Sequence, residues 1–228
     1  MNKSIAIAAI ASAALAGAAQ ADLVAYWNFN SLTTAINNGT TYAASSGNGS
    51  IALTVPANDN AGTNQGIAAF AGSTINVLNG DAGGQALAIQ GGATDPSSDP
   101  VTNNGSTLVM SFSMTGLVDP ILSYATRGTS TGFDNVQLAW STDGVNYTNF
   151  GAAYSGRPTS FFLVTYDLSS IDALDGVASA YLRLTFNGAT SVAGNNRLDN
   201  FQINATTPTP GAAALLGLGA LAAGRRRR

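Results

Sequence analysis

Residues 108–114 alternate strictly, with Leu108, Met110, Phe112 and Met114 on one parity and Val109, Ser111 and Ser113 on the other. Successive side chains of a strand point to opposite faces, so this alternation defines a ribbon with one apolar face that must pack against another layer. The pattern returns at Val136, Leu138 and Trp140, and again at Phe162, Val164, Tyr166 and Leu168. It returns a third time at Leu182, Leu184 and Phe186, opposite Tyr181, Arg183 and Thr185. Weaker signals predict strands at 23–29, 51–55, 74–78, 85–90, 120–126, 146–150 and 199–204. Polar stretches rich in Gly and Asn predict loops at 36–50, 56–66 and 91–106. No helical stripe of useful length separates the strands, which argues against parallel βαβ units. The expected fold is all-β, a two-sheet antiparallel sandwich of jelly-roll type over residues 22–205.

The residue types present narrow the chemistry. The 228 residues include 26 glycines but no cysteine and no histidine, and all twelve acidic residues are aspartates. Disulfides therefore contribute nothing to stability, and Ser/His or Cys/His nucleophilic pairs and zinc sites of the usual type are excluded. Between residues 22 and 210 four arginines stand against twelve aspartates, a formal charge of −8. An acidic surface of that kind excludes nucleic acid as a partner, because phosphate contacts need basic groups.

Both ends carry sorting features. Residues 1–21 combine Lys3, an apolar stretch from Ile5 to Ala16 and a small-x-small signal at Ala19, Gln20 and Ala21. They read as a signal peptide cleaved before Asp22, so the domain is expected to be exported. At the other end a Pro-rich linker, 206–211, leads into the apolar run 212–224 and then Arg225, Arg226, Arg227 and Arg228. Thirteen apolar residues are short for a span of about 20, which suits a shallow or transient membrane-contacting helix, and the arginines are expected to stay cytoplasmic. This order resembles the C-terminal sorting signal of PEP-CTERM proteins. The resemblance rests on Pro208, Pro210, Gly211 and the arginine cluster, with Pro-Thr-Pro-Gly where Pro-Glu-Pro is usual. It implies processing by an exosortase-like membrane protease, and display at the cell surface or in an exopolysaccharide matrix.

A second resemblance concerns the domain. Tyr26-Trp27-Asn28-Phe29-Asn30 and Arg197-Leu198-Asp199-Asn200-Phe201-Gln202-Ile203 are similar to the first and last strands of jelly-roll carbohydrate-binding modules. This implies a non-catalytic, polysaccharide-binding domain. Tyr26, Trp27, Tyr124, Tyr147, Tyr154 and Tyr181 are the candidate stacking platforms, whereas Trp140 shares its parity with Val136 and Leu138 and belongs to the core. The segment from Trp140 to Tyr147 reads as a hairpin whose Asp143-Gly144 pair supplies positive φ angles.

Two alternatives stay open. A secreted glycan-degrading enzyme needs two carboxylates about 5 to 10 Å apart, and Asp95, Asp99, Asp167, Asp172 and Asp175 are available, although each reads as turn punctuation. A self-assembling structural subunit has no distinguishing residues. Finally, strand parity places Asp199 with Phe201 and Ile203, facing the core, where a charge needs a partner. Calcium prefers oxygen ligands, and related jelly rolls often hold such an ion between first and last strands. The resemblance therefore implies one structural Ca2+ on Asp199, Asn28 and Asn30. Backbone N–H donors, Arg197 or Arg183 are the competing partners for Asp199.

Overall fold

The computed structural model describes residues 21–32, 39–56, 66–92 and 103–208. The signal segment up to Gln20 and the tail from Thr209, with Pro210, Gly211 and Arg225 to Arg228, lie outside these residues, as do Asp95 and Asp99. In chain order the strands are β1 (Ala21–Trp27), β2 (Thr41–Ala43), β3 (Ser46–Gly47), β4 (Gly49–Thr54), β5 (Ile67–Ala71), β6 (Gln85–Gln90) and β7 (Ser106–Phe112). They continue as β8 (Val118–Gly128), β9 (Asn135–Ser141), β10 (Thr148–Asn149), β11 (Tyr154–Ser155), β12 (Phe162–Asp167), β13 (Ala180–Asn187) and β14 (Asn195–Thr206). The helical element among the described residues is one 3-10 turn, Asp172–Leu174.

The strands form two antiparallel sheets, as the alternation requires. Sheet A runs β12-β8-β14-β1-β3, with β6 also paired to β14 and β5 to β6; sheet B runs β10-β9-β13-β7-β4-β2, with β11 also paired to β9. The long β14 organises sheet A. Asn195 to Leu198 pair with β6 and Phe201 to Thr206 with β1, while its other edge lies along β8.

Register brings the apolar parities together. Leu53, Leu108, Leu184 and Leu138 form one row across sheet B, and Ile51, Met110, Leu182 and Trp140 the next. These face Trp27, Leu87, Ile89, Leu122, Tyr124, Leu198, Phe201 and Ile203 of sheet A in one buried cluster. Each fully buried Leu, Ile or Phe contributes about 1.5–3 kcal/mol, so this cluster supplies the stability that disulfides do not. Trp140 packs against the cluster but is only partly buried.

Several expected boundaries are corrected. Residues 74–78 are not a strand but part of a crossing segment in which Asn76 takes φ 62°. The pairing partner of β6 is instead Ile67–Ala71, whose three alanines gave no alternation to read. The expected 36–50 loop contains β2 and β3, and the returning strand of 146–150 shrinks to Thr148–Asn149. The parity argument for Asp199 also fails. Register slips by one residue between Asp199 and Gln202, and Asn200 sits at φ 50°, a β-bulge. Before the bulge Leu198 faces the core and Asp199 pairs with Ala125 on the opposite, outer face.

Candidate binding face

The outer faces of the two sheets differ, and the difference locates the candidate site. On sheet A, Tyr26, Gln202 and Ser123 share one outward row. A segment running from Gly72 to Gly84 crosses them. Asn76 Nδ2 donates to the Asn200 carbonyl at 2.7 Å and to Ser123 Oγ at 3.1 Å, and Gln202 Nε2 donates to the Asn76 carbonyl at 2.7 Å. Asn200 Nδ2 donates to the carbonyls of Ser73 at 2.7 Å and Ile75 at 2.9 Å, while its Oδ1 accepts from the Tyr26 hydroxyl at 2.9 Å. Burial pushes the Tyr26 phenol up to about 12, so it remains a donor.

Asp199 lies beneath this strap, fully buried. Its carboxylate accepts N–H bonds from Ser73 at 2.7 Å and Asn200 at 2.9 Å. Burial raises its pKa to about 7 against the lowering effect of those two donors. Neither Arg197 nor Arg183 pairs with it, since the ion pair among the described residues is Arg157 with Asp134, at 2.9 Å.

The calcium set can be tested against these partners. Asn28 Nδ2 donates to Asp81 at 2.7 Å, and Asn28 Oδ1 accepts from Ser45 Oγ and from the Asn30 N–H. Asn30 is tied to Ala82 and Gln85. Thus Asn28 and Asn30 join β1 to the strap rather than bonding to Asp199. A Cβ on Gly72 would clash with both the Gly83 carbonyl oxygen and Asp199 Oδ2, so only glycine fits between them. Among the described residues there is no group of three or more His, Cys, Asp or Glu able to hold a metal.

Among the described residues no such strap crosses the corresponding face of sheet B. One outward row reads Ala52, Val109, Arg183, Ala139, and the next Ser50, Ser111, Tyr181, Ser141. Arg183 therefore rises between small side chains. Its guanidinium stacks 4.0 Å from the centroid of the Tyr147 ring, and its Nε is buried without an acceptor. Burial raises the Tyr147 phenol pKa, with Arg183 pulling the other way.

The loop that delivers Tyr147 is rigid for a reason legible in its residues. Asp143 accepts from the N–H groups of Val145 and Asn146, each at 2.8 Å, and from Asn146 Nδ2 at 2.7 Å. Ser141 Oγ donates to Asp143 at 2.8 Å and accepts from the Gly144 N–H at 3.0 Å. The Asn146 side chain first, then these backbone donors, hold the Asp143 carboxyl well below the usual carboxylate range. Only Gly144 of the Asp-Gly pair has positive φ, 73°, and a Cβ there would meet the Tyr181 ring at 3.2 Å. The turn backbone thus lies against one side of Tyr181.

Of the six aromatic candidates, Tyr26, Trp27 and Tyr124 are buried, which corrects their expected role as stacking platforms. Tyr147, Tyr154 and Tyr181 are half-buried. The structure stacks Tyr147 on Arg183 and sets Tyr181 two residues before Arg183 on the same face of β13; aromatic content alone does not point to Arg183, whose place depends on the cross-strand row. Trp27 and Phe29 also line a cavity of about 320 Å³ with Leu32 and Tyr42. Of the described carboxylates of the enzyme alternative, Asp167 accepts from the Ser169 N–H at 3.0 Å and Asp175 from the Asp119 N–H of β8 at 3.0 Å.

No protein-family model and no curated protein matches the sequence. Solved structures do show similar folds. The chain is similar to the tandem CBM22-1-CBM22-2 domains of Paenibacillus barcinonensis Xyn10C, with 15% identity over 86% of this chain and a TM-score of 0.50. It spans about half, 49%, of that chain. The CBM22-1 xylan-binding domain of the same protein aligns at 15% identity over 85% of this chain and 100% of its own, with TM-score 0.46. The K1 cleaved adhesin domain of Lys-gingipain from Porphyromonas gingivalis W83 aligns at 11% identity over 82% and 98% of the two chains, with TM-score 0.41. At such identities the likeness is one of fold, and the tandem module carries it.

Proposed function

We propose that this chain is an exported bacterial surface or matrix protein whose sandwich binds polysaccharide without cleaving it, on the outer face of sheet B. The observation that carries the reading is Arg183, stacked on Tyr147 beside Tyr181, with a buried Nε that lacks an acceptor on a face of small side chains. A sugar ring offers C–H groups for an aromatic face and hydroxyl oxygens for the guanidinium donors. The module-like fold is consistent with this use but does not by itself assign it.

Affinity electrophoresis and calorimetry with soluble xylan, β-glucan and galactan test the reading on the full chain. Wild type should bind at least one, and Arg183→Ala and Tyr147→Ala should each weaken binding about tenfold, or roughly 1.4 kcal/mol. Binding that ignores both substitutions would move the site elsewhere. Release of reducing sugar that depends on Asp167 or Asp172 would favour the enzyme, and concentration-dependent assembly without glycan would favour the structural subunit.

Export, sorting through Pro208, Pro210, Gly211 and the arginine cluster, and an exosortase-like partner complete the proposal. Their support is the sequence order at the two ends. Deleting 208–228 should change the location and the mass of the exported protein. A structural calcium at Asp199 is retained in the reading because a fully buried carboxylate has no cationic side-chain partner there among the described residues.

A further inference from the structure

The domain between residues 22 and 210 has four arginines for twelve aspartates, so each cation has carboxylates to choose from. Arg157 takes Asp134, and Arg183 takes the Tyr147 ring. Arg127 and Arg197 pair with no acid among the described residues. They stand directly opposite each other on β8 and β14, on the outer face of sheet A. Directly opposed residues have Cβ atoms about 4.5–5.5 Å apart, and like charges so placed repel.

The surroundings hold this pair ready. The Arg197 guanidinium lies 4.5 Å from the Phe70 ring centroid, and its Nε is buried without an acceptor. Ala88 and Ala68 continue the same cross-strand row, so short side chains flank the pair on that side. Asp199, the nearest acid along β14, is turned to Ser73 and Asn200. Burial first, and the Arg127 charge second, press the Arg197 guanidinium below its ordinary pKa. A bound anion would relieve both effects.

We propose that Arg127 and Arg197 form an oxyanion site that holds a carboxylate or phosphate group between their guanidinium forks, with Phe70 as its floor. The planar fork suits two-oxygen acceptors, and the two forks together bring the donor density that a lone surface arginine lacks. The site lies on the sheet opposite the sugar-binding face and stands whether or not that face binds glycan. Its ligand is either a free oxyanion or the uronate of an acidic polysaccharide, which share the same chemistry.

Thermal melts of the full chain at constant ionic strength separate the cases, with inorganic phosphate, sodium glucuronate and oligogalacturonate as probes and chloride as reference. At about ten times the dissociation constant, a binding anion should raise the melting temperature by roughly 3–6 °C. Phosphate also strengthens burial generically, so the variants decide. The rise should disappear in Arg127→Gln and in Arg197→Gln, and Arg127→Gln in chloride should melt no lower than wild type because repulsion is relieved. A response to phosphate alone identifies a free oxyanion, and a stronger response to oligogalacturonate identifies a uronate. No response to any probe, or an equal response in both variants, overturns the site.

Discussion

The two outer faces of the sandwich start from the same rule and end differently. Both are built from the outward parity of alternating strands, yet the face of sheet A under the strap is closed and its polar groups are matched, whereas that of sheet B is crossed by no segment among the described residues. Asn200, Gln202 and Ser123 meet the strap through bonds of 2.7 to 3.1 Å, and Tyr26 donates to Asn200 at 2.9 Å. Arg183 at the middle of sheet B has a ring on one side and a buried donor without an acceptor. Where a fold satisfies every buried polar group it is investing in structure, and where it leaves one aimed outward among small neighbours it has room for a ligand.

The comparison breaks first at Asn200. Its side chain makes three buried bonds, and its backbone takes a positive φ that alanine tolerates poorly. Asn200→Ala should therefore cost about 3–5 kcal/mol, lowering the melting temperature by on the order of 10 °C. A loss below about 0.5 kcal/mol would mean that the strap is not anchored there, and that the closed face is closed only by proximity.

A smaller effect should come from Asp199, and it has a definite sign. Its folded pKa, about 7, exceeds the ordinary aspartate value of 3.8 because burial penalises the charge. Between those values the folded state holds the proton that the unfolded chain releases, so the contribution is fully present below about pH 4 and lost as pH rises through 7. The loss amounts to at most a few kcal/mol. Urea titrations of wild type should show this slope, and Asp199→Asn, which resembles the protonated acid, should flatten it. Calcium needs the charged form, so millimolar calcium against EDTA should raise the wild-type melt at pH 8, less so below pH 7, and not in Asp199→Asn. Identical melts leave Ser73 and Asn200 as the carboxylate's sole partners.

Much of the closed face was illegible in the sequence because it depends on irregularities. The alternation at 108–114, 136–140 and 182–186 predicted core rows that the register confirms, from Leu108 to Leu184 and Leu138. Asp199 was misplaced because parity cannot count through a bulge, and the bulge depends on Asn200 adopting φ 50°. Residues 74–78 looked like a strand because Ile75 and Val77 alternate with polar neighbours. Asn76 instead spends its side chain on Asn200 and Ser123. The Asp143-Gly144 turn was legible as a turn, but its length was not: the capping bonds of Asp143 extend it to Tyr147. That extension brings a loop aromatic over a strand arginine 36 residues later, a contact between elements that no local pattern encodes.

The smallest stability effect is expected at the most important residue of the open face. Arg183→Ala removes a guanidinium–ring contact that contributes about 0.5–1 kcal/mol at a partly exposed site. It also removes a buried Nε without an acceptor, whose desolvation opposes folding by a similar amount. Ala52, Val109 and Ala139 beside it are too short to rely on it for packing, although its aliphatic stem covers some of their surface. The terms nearly cancel, so the melting temperature should move by no more than about 2 °C in either direction. Glycan affinity should fall about tenfold in the same protein. Asn200→Ala should do the reverse when assayed well below its melting temperature, losing stability while the sheet B face retains its ligand. A destabilisation above about 1.5 kcal/mol in Arg183→Ala would show that the open face depends on this cation for its structure. In that case a loss of binding would report unfolding of the Tyr147 loop, and the distinction between the two faces would collapse.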